Sequence, residues 1–181
     1  MLIRPMALVR PARSFEVEDI SNLIKAALES FRGNVQPHVL DHYIAYSCDI
    51  AARWDDGEVL VAECDSRIVG TVTYAARSLH GLPAEWASFR TLAVHPSVRG
   101  RGLGWTLVTT CIARAWEEGA STVGLHTAAF MTSALAIYQR AGFERCPEYD
   151  LCASDVLGFD RALGDLAVIA YRRALAPRRG F

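Results

Sequence analysis

The chain has 181 residues, 51% of them apolar, which is material for one domain, 1–181, with a substantial core. A formal net charge of −1 lacks the basic footprint that nucleic acid or an acidic membrane surface would demand, and no apolar run approaches the roughly 18 residues of a membrane span. Five cysteines, Cys48, Cys64, Cys111, Cys146 and Cys152, are odd in number and lack C-x-x-C spacing, which argues against a disulfide framework or a zinc site.

The N-terminal residues show no charged region followed by a long apolar stretch, so a soluble, cytoplasmic protein with reduced thiols is expected. The basic residues near the C-terminus, Arg172-Arg173 and Arg178-Arg179, are too few to change the charge argument.

In chain order, Ala7 to Arg10 reads as a short strand. Val17 to Phe31 follows as a helix, with Ile20, Leu23, Ile24, Ala27, Leu28 and Phe31 on one face. Gly33-Asn34 and Pro37 end it. His38 to Trp54 reads as a single helix with Leu40, Tyr43, Ile44, Ser47 and Cys48 on a stripe, closed by the turn Asp55-Asp56-Gly57. These two helices are expected to wall the substrate side. Val59 to Cys64 and Ile68 to Ala76 flank Asp65-Ser66-Arg67 as an antiparallel hairpin, and Ser88 to Val94 is its next strand after a loop from Arg77 to Trp86.

Leu92-Ala93-Val94 then meets His95-Pro96 and a loop with three alternating glycines, Arg99-Gly100-Arg101-Gly102-Leu103-Gly104. The helix that follows buries Leu103, Leu107, Val108, Cys111, Ile112 and Ala115 and ends at Gly119. Strand, glycine loop and helix N-terminus in that order build an anion site, because first-turn amides and the helix dipole both face the loop. A phosphate is the natural guest. Arg99 and Arg101 add cationic donors.

A P-loop is excluded, since Trp105 and Thr106 stand where Lys and Ser or Thr would be needed. A dinucleotide fingerprint fits poorly, because the glycines run G-x-G-x-G in mid-chain rather than G-x-G-x-x-G at the start of a βαβ unit. On this loop alone, an ordinary glycine turn is an equal reading.

Val123 to Thr127 is a further strand. From Met131 to Phe143, Ala134, Ile137, Tyr138 and Ala141 fall at helical spacing, and Gly142 caps the helix. Glu144 to Cys152 and Leu166 to Leu175 read as the last two strands, separated by a loop with Gly158 and Gly164. Cys111 and Cys146 read as packing thiols.

The pairing of R-x-x-G-x-G at Arg99 to Gly104 with A-x-x-x-Y-x-x-x-G-F at Ala134 to Phe143 resembles the GCN5-related N-acetyltransferase (GNAT) family. The resemblance implies an α/β fold with a mixed, mostly antiparallel central sheet, helices on both faces and two parallel central strands that splay apart, the acyl-CoA N-acyltransferase fold. It implies acetyl transfer from acetyl-coenzyme A to a primary amine by direct attack in a ternary complex. Leu92, Ala93 and Val94 would lie along the pantetheine arm. Amides of Arg99, Gly100, Arg101, Gly102, Leu103 and Gly104 would hold the pyrophosphate, and Trp105 and Thr106 would open the helix beneath it. Tyr138 would be the general acid for the departing thiolate.

Two positions depart from the family pattern. Met131 stands where an Asn often precedes the Tyr, and Ser88 stands where a Glu often serves as base. Ser88, Glu85 and His126 are therefore the candidates for accepting the amine proton or positioning a water. The expected partner is a small-molecule or peptide amine, with no metal, nucleic acid or membrane, in a monomer or homodimer. A non-catalytic acyl-CoA binding or sensing module of the same fold is the alternative.

Overall fold

The computed structural model describes residues 7–177. Arg178 and Arg179 lie outside the described residues. The strands are β1 (Leu8–Pro11), β2 (Glu58–Cys64), β3 (Arg67–Ala75), β4 (Ala87–Val94), β5 (Thr122–Thr127), β6 (Glu144–Arg145), β7 (Leu151–Cys152) and β8 (Ala167–Ala174). The helices are α1 (Val17–Glu29), α2 (Pro37–Cys48), α3 (Ile50–Asp56), α4 (Leu103–Glu117), α5 (Thr132–Arg140) and α6 (Ala153–Leu157). The sheet runs β1-β2-β3-β4-β5-β8-β6, with β7 also on β8. Every pairing is antiparallel except β4 with β5.

Strand β2 shows why the sheet is covered twice. Successive strand residues point to opposite faces, and here both sets are apolar. Leu60 and Ala62 join a core with Leu107, Val108 and Cys111 of α4, while Val59 and Val61 join another with Ile20, Leu23 and Ile24 of α1. Cys111 is fully buried, and Cys146 is nearly so.

Two expected elements are divided. The helix read as His38–Trp54 breaks at Asp49, whose φ of −74° and ψ of 84° leave the helical region and whose carboxylate accepts from Ala52 N at 3.0 Å as the N-cap of α3. The strand read as Glu144–Cys152 is interrupted at Pro147, where a proline cannot donate to the ladder and a 3-10 turn replaces pairing. Cys146 accordingly precedes that turn rather than sitting on a strand.

Two features of β4 position the site. The β4–β5 ladder holds only at Ala87 with Val123 and Ser88 with Gly124, so the strands part beyond those pairs. On its other edge β4 shifts register against β3, from Arg90 opposite Thr73 to Ala93 opposite Thr71. Three residues thus span what two span on β3, and Thr91 takes a φ of +55° in the bulge. A β-branched residue in that region is strained.

Candidate active site

The glycine loop enters α4 with its donors free. Thr106 N donates to Gly102 O at 3.0 Å, but the N–H groups from Gly100 to Trp105 have no hydrogen-bond partner among the described residues. They precede and open a 15-residue helix whose dipole adds positive potential at the same end. Gly100 and Gly102 adopt φ of +76° and +84°, with open space where a side chain would stand. Conformation rather than crowding requires glycine there. Gly104 differs, since an added Cβ would lie 2.8 Å from Ile137 Cδ1, so its glycine lets α4 and α5 approach.

The Arg99 side chain does not face this cradle. Its guanidinium donates to Val94 O at 3.3 Å, Ser30 Oγ at 3.0 Å and Ala27 O at 2.9 Å. Ala27 O also accepts from Ser30 Oγ at 2.6 Å, and a cation at the C-terminal end of α1 is favourable, so the Arg99 side chain is engaged there rather than standing as a cationic donor at the loop. Arg101 is exposed. Trp105 is half-buried under the Arg140 guanidinium, 4.4 Å from its ring centre, and the Thr106 hydroxyl donates to Gly102 O. Leu92, Val94 and Leu103 pack toward α4 and α5, whereas Ala93 faces α1.

Tyr138 lies late on α5, 5% exposed, its ring within 6.0 Å of Phe89 and 5.9 Å of Phe143. Its hydroxyl has no hydrogen-bond partner among the described residues. Burial raises the phenol's pKa, so it stays protonated throughout the physiological range.

Across the sheet lies a cleft of about 80 Å³, walled by α2, the parting ends of β4 and β5, α6 and β8. Arg90, Thr91, Tyr46, His80, His126 and Met131 border it, and Tyr138 does not. Tyr46 Oη and His80 Nε2 are 2.6 Å apart, and His126 Nε2 is 2.9 Å from Tyr149 O. Burial chiefly lowers both histidine pKa values, so the rings are neutral at physiological pH.

A model of the acetyltransferase (GNAT) family matches residues 20–143, which spans both the glycine loop and the Tyr138 helix. The chain belongs to the GNAT family. It is 32% identical over 109 residues to a mycothiol acetyltransferase of Cellulomonas flavigena, covering 55% of this chain and 31% of that protein. It is 30% identical over 108 residues to the N-acetyltransferase YjgM of Escherichia coli, itself uncharacterised, covering 60% of each. The match thus spans between 31% and 60% of these relatives' lengths. Among solved structures, the PaiA N-acetyltransferase of Thermoplasma acidophilum in complex with coenzyme A superposes with a TM-score of 0.69 at 13% identity, covering 93% of this chain and 99% of that one. At that identity the likeness is one of fold.

Within this GNAT fold the three base candidates occupy different surroundings. Ser88 is 1% exposed and its hydroxyl donates to Arg77 O at 2.8 Å, beside the last β4–β5 pair. Glu85 is exposed on the preceding loop. Of the three, His126 borders the cleft. Met131 borders it as well, with its sulfur 3.7 Å from Thr127 Oγ1.

Pattern reading did not single out Arg90, Arg53, Tyr46 or His80. A charged residue inside Ala87–Val94 was the available signal for Arg90, because a strand expected to be buried on both faces has no solvent to receive it. No side-chain cluster suited to a metal ion occurs among the described residues, and no described helix is long and apolar enough to cross a membrane.

Proposed function

We propose that the chain, 1–181 acting as one domain, transfers an acetyl group from acetyl-coenzyme A to a primary amine. The observation that carries this reading is the run of unpartnered amides from Gly100 to Trp105 beside strands that part after Ser88 and Gly124. Those amides suit a pyrophosphate, and the gap suits a thin thioester arm along Leu92, Ala93 and Val94. The amine nitrogen forms a bond to the acetyl carbon while the carbon–sulfur bond breaks. Backbone N–H near Val94 steadies the oxyanion, Tyr138 gives its proton to the thiolate, and the amine proton leaves through water or His126.

The coenzyme A complex of the Thermoplasma protein supports the choice of co-substrate. An amine acceptor, small molecule or peptide, fits a cleft bordered by neutral imidazoles. We place the protein in the cytoplasm as a monomer or homodimer. Ser88, whose hydroxyl is already engaged, and Met131 favour a second reading as an acyl-CoA sensor. Thiol release with a panel of amines separates the two. Amine-dependent release supports transfer, while tight coenzyme A binding without it supports sensing.

A further inference from the structure

Arg90 stands in the middle of β4 with 9% of its side chain exposed. Its Nη2 lies 2.6 Å from Asp56 Oδ2 and its guanidinium carbon 4.6 Å from the Tyr46 ring centre. Its Nε and Nη1 are buried without a hydrogen-bond partner among the described residues. Arg53 nearby is fully buried, donating from Nε to Thr73 Oγ1 at 2.7 Å and from Nη2 to Thr71 Oγ1 at 3.0 Å, while Nη1 has no partner among the described residues. Desolvation, with a further push from Arg90, brings the Arg53 pKa down to about 9.

Unpaired guanidinium N–H groups in a dry interior carry a desolvation cost that a structural arginine would relieve with a carboxylate. Among the described residues this pair of cations has Asp56 as its one ion-pair partner, an excess of a single positive charge. Consecutive strand residues ordinarily face opposite sides, yet the bulge at Thr91 brings both Arg90 and Thr91 to the cleft. A cation therefore adjoins the mouth of the parted strands, two positions beyond Ser88 of the last pair. Beyond it the walls are apolar, with Val39, Phe130, Leu157, Leu166 and Val168.

We propose that the cleft takes an amine that carries a carboxylate beside it and an apolar body, an amino-acid-like acceptor, with Arg90 receiving the carboxylate. This rests on the transferase reading above. A monoanion matches the single excess charge, whereas a phosphate dianion would overcompensate it.

The test compares leucine and phenylalanine with their amides and with isoamylamine and phenethylamine, which lack the carboxylate, by thiol release. In the wild type, kcat/KM for the free acids should exceed that for the amides and simple amines by tenfold or more. Arg90→Met should bring the ratio close to one. Arg90→Lys should leave it intermediate, because a point charge replaces a planar donor set. Coenzyme A affinity checks that each variant is folded, and Arg90→Lys carries the test if Arg90→Met is not.

Amides or simple amines matching the acids, or a ratio unchanged in the variants, would overturn the assignment while leaving acetyl transfer standing. If no amine releases thiol, the transferase reading falls. Calorimetry on the coenzyme A-loaded protein then decides the cleft. Leucine binding without leucinamide binding supports the carboxylate site, and equal or absent binding of both rejects it.

Discussion

Tyr138→Phe should move stability and turnover independently. The substitution keeps the ring, and with it the contacts to Phe89 and Phe143, and removes a hydroxyl that has no hydrogen-bond partner among the described residues. Losing a paired buried hydroxyl typically costs about 0.5–1.5 kcal/mol, but an unpaired one has no such bond to lose. The unfolding free energy should therefore stay level or rise by up to about 1 kcal/mol. For a chain of this size that is a Tm unchanged or higher by roughly 2–4 °C. Coenzyme A affinity should also hold, since the Gly100–Trp105 amides are untouched. Turnover should fall by about 10²-fold to 10⁴-fold, the usual contribution of a positioned general acid. Thermal melts, calorimetry with coenzyme A and thiol release with the best amine give the three readouts. A lowered Tm with wild-type turnover across the pH range would refute the reasoning, because it would make the hydroxyl structural.

Gly102→Ala places a side chain at φ +84° in otherwise open space, so backbone strain of about 1–2 kcal/mol should reshape the loop and weaken coenzyme A binding about tenfold by calorimetry. Gly104→Val should instead lower Tm as well as affinity, because its Cβ meets Ile137 at 2.8 Å and presses α4 away from α5. His80 and His126 have pKa values lowered chiefly by burial, so the folded state binds their protons less readily than the unfolded chain. Stability should be fully present above about pH 6.5 and fall as pH drops toward the depressed folded values. Melts of His80→Asn and His126→Asn across pH 5 to 8 should show a flatter decline than the wild type.

Much of the fold was legible because its signals are local. Asp65-Ser66-Arg67 between two β-rich runs marks the β2–β3 hairpin, and both Asp65 and Ser66 take the positive φ of a tight turn. The stripe of α4 and the glycine punctuation before it marked a loop entering a helix, and the likeness of the paired motifs to the GNAT family made it a candidate anion site. The break at Asp49 was hidden because Ile50 continues the apolar stripe, and periodicity does not register a change of axis. The candidate site drew sequence signals on its loop and Tyr138 side and none from Arg53, Arg90, Tyr46 or His80 on the cleft side. Charged residues are ordinarily found at the surface, so periodicity gives no sign that Arg53, at 0% exposure, is buried. Nor does a threonine announce a positive φ. The bulge at Thr91 is imposed by the register of β4 between its two neighbours, which exists once the sheet has formed.

The anchoring of Arg99 to the end of α1 has an electrostatic consequence for the cradle. With that guanidinium held by Ala27 O, Ser30 Oγ and Val94 O, attraction for a pyrophosphate comes mainly from amide dipoles at contact range. Mobile ions screen separated full charges over about 8–10 Å, and they act weakly on groups already in contact. Coenzyme A affinity should accordingly change little between low and physiological ionic strength, less than threefold by calorimetry. A steep decline with salt would mean that a guanidinium, that of the exposed Arg101 or of an Arg99 released from α1, meets the ligand. In the anchored state the loop, the end of β4 and the end of α1 are joined before any ligand arrives, so binding requires little ordering of the chain.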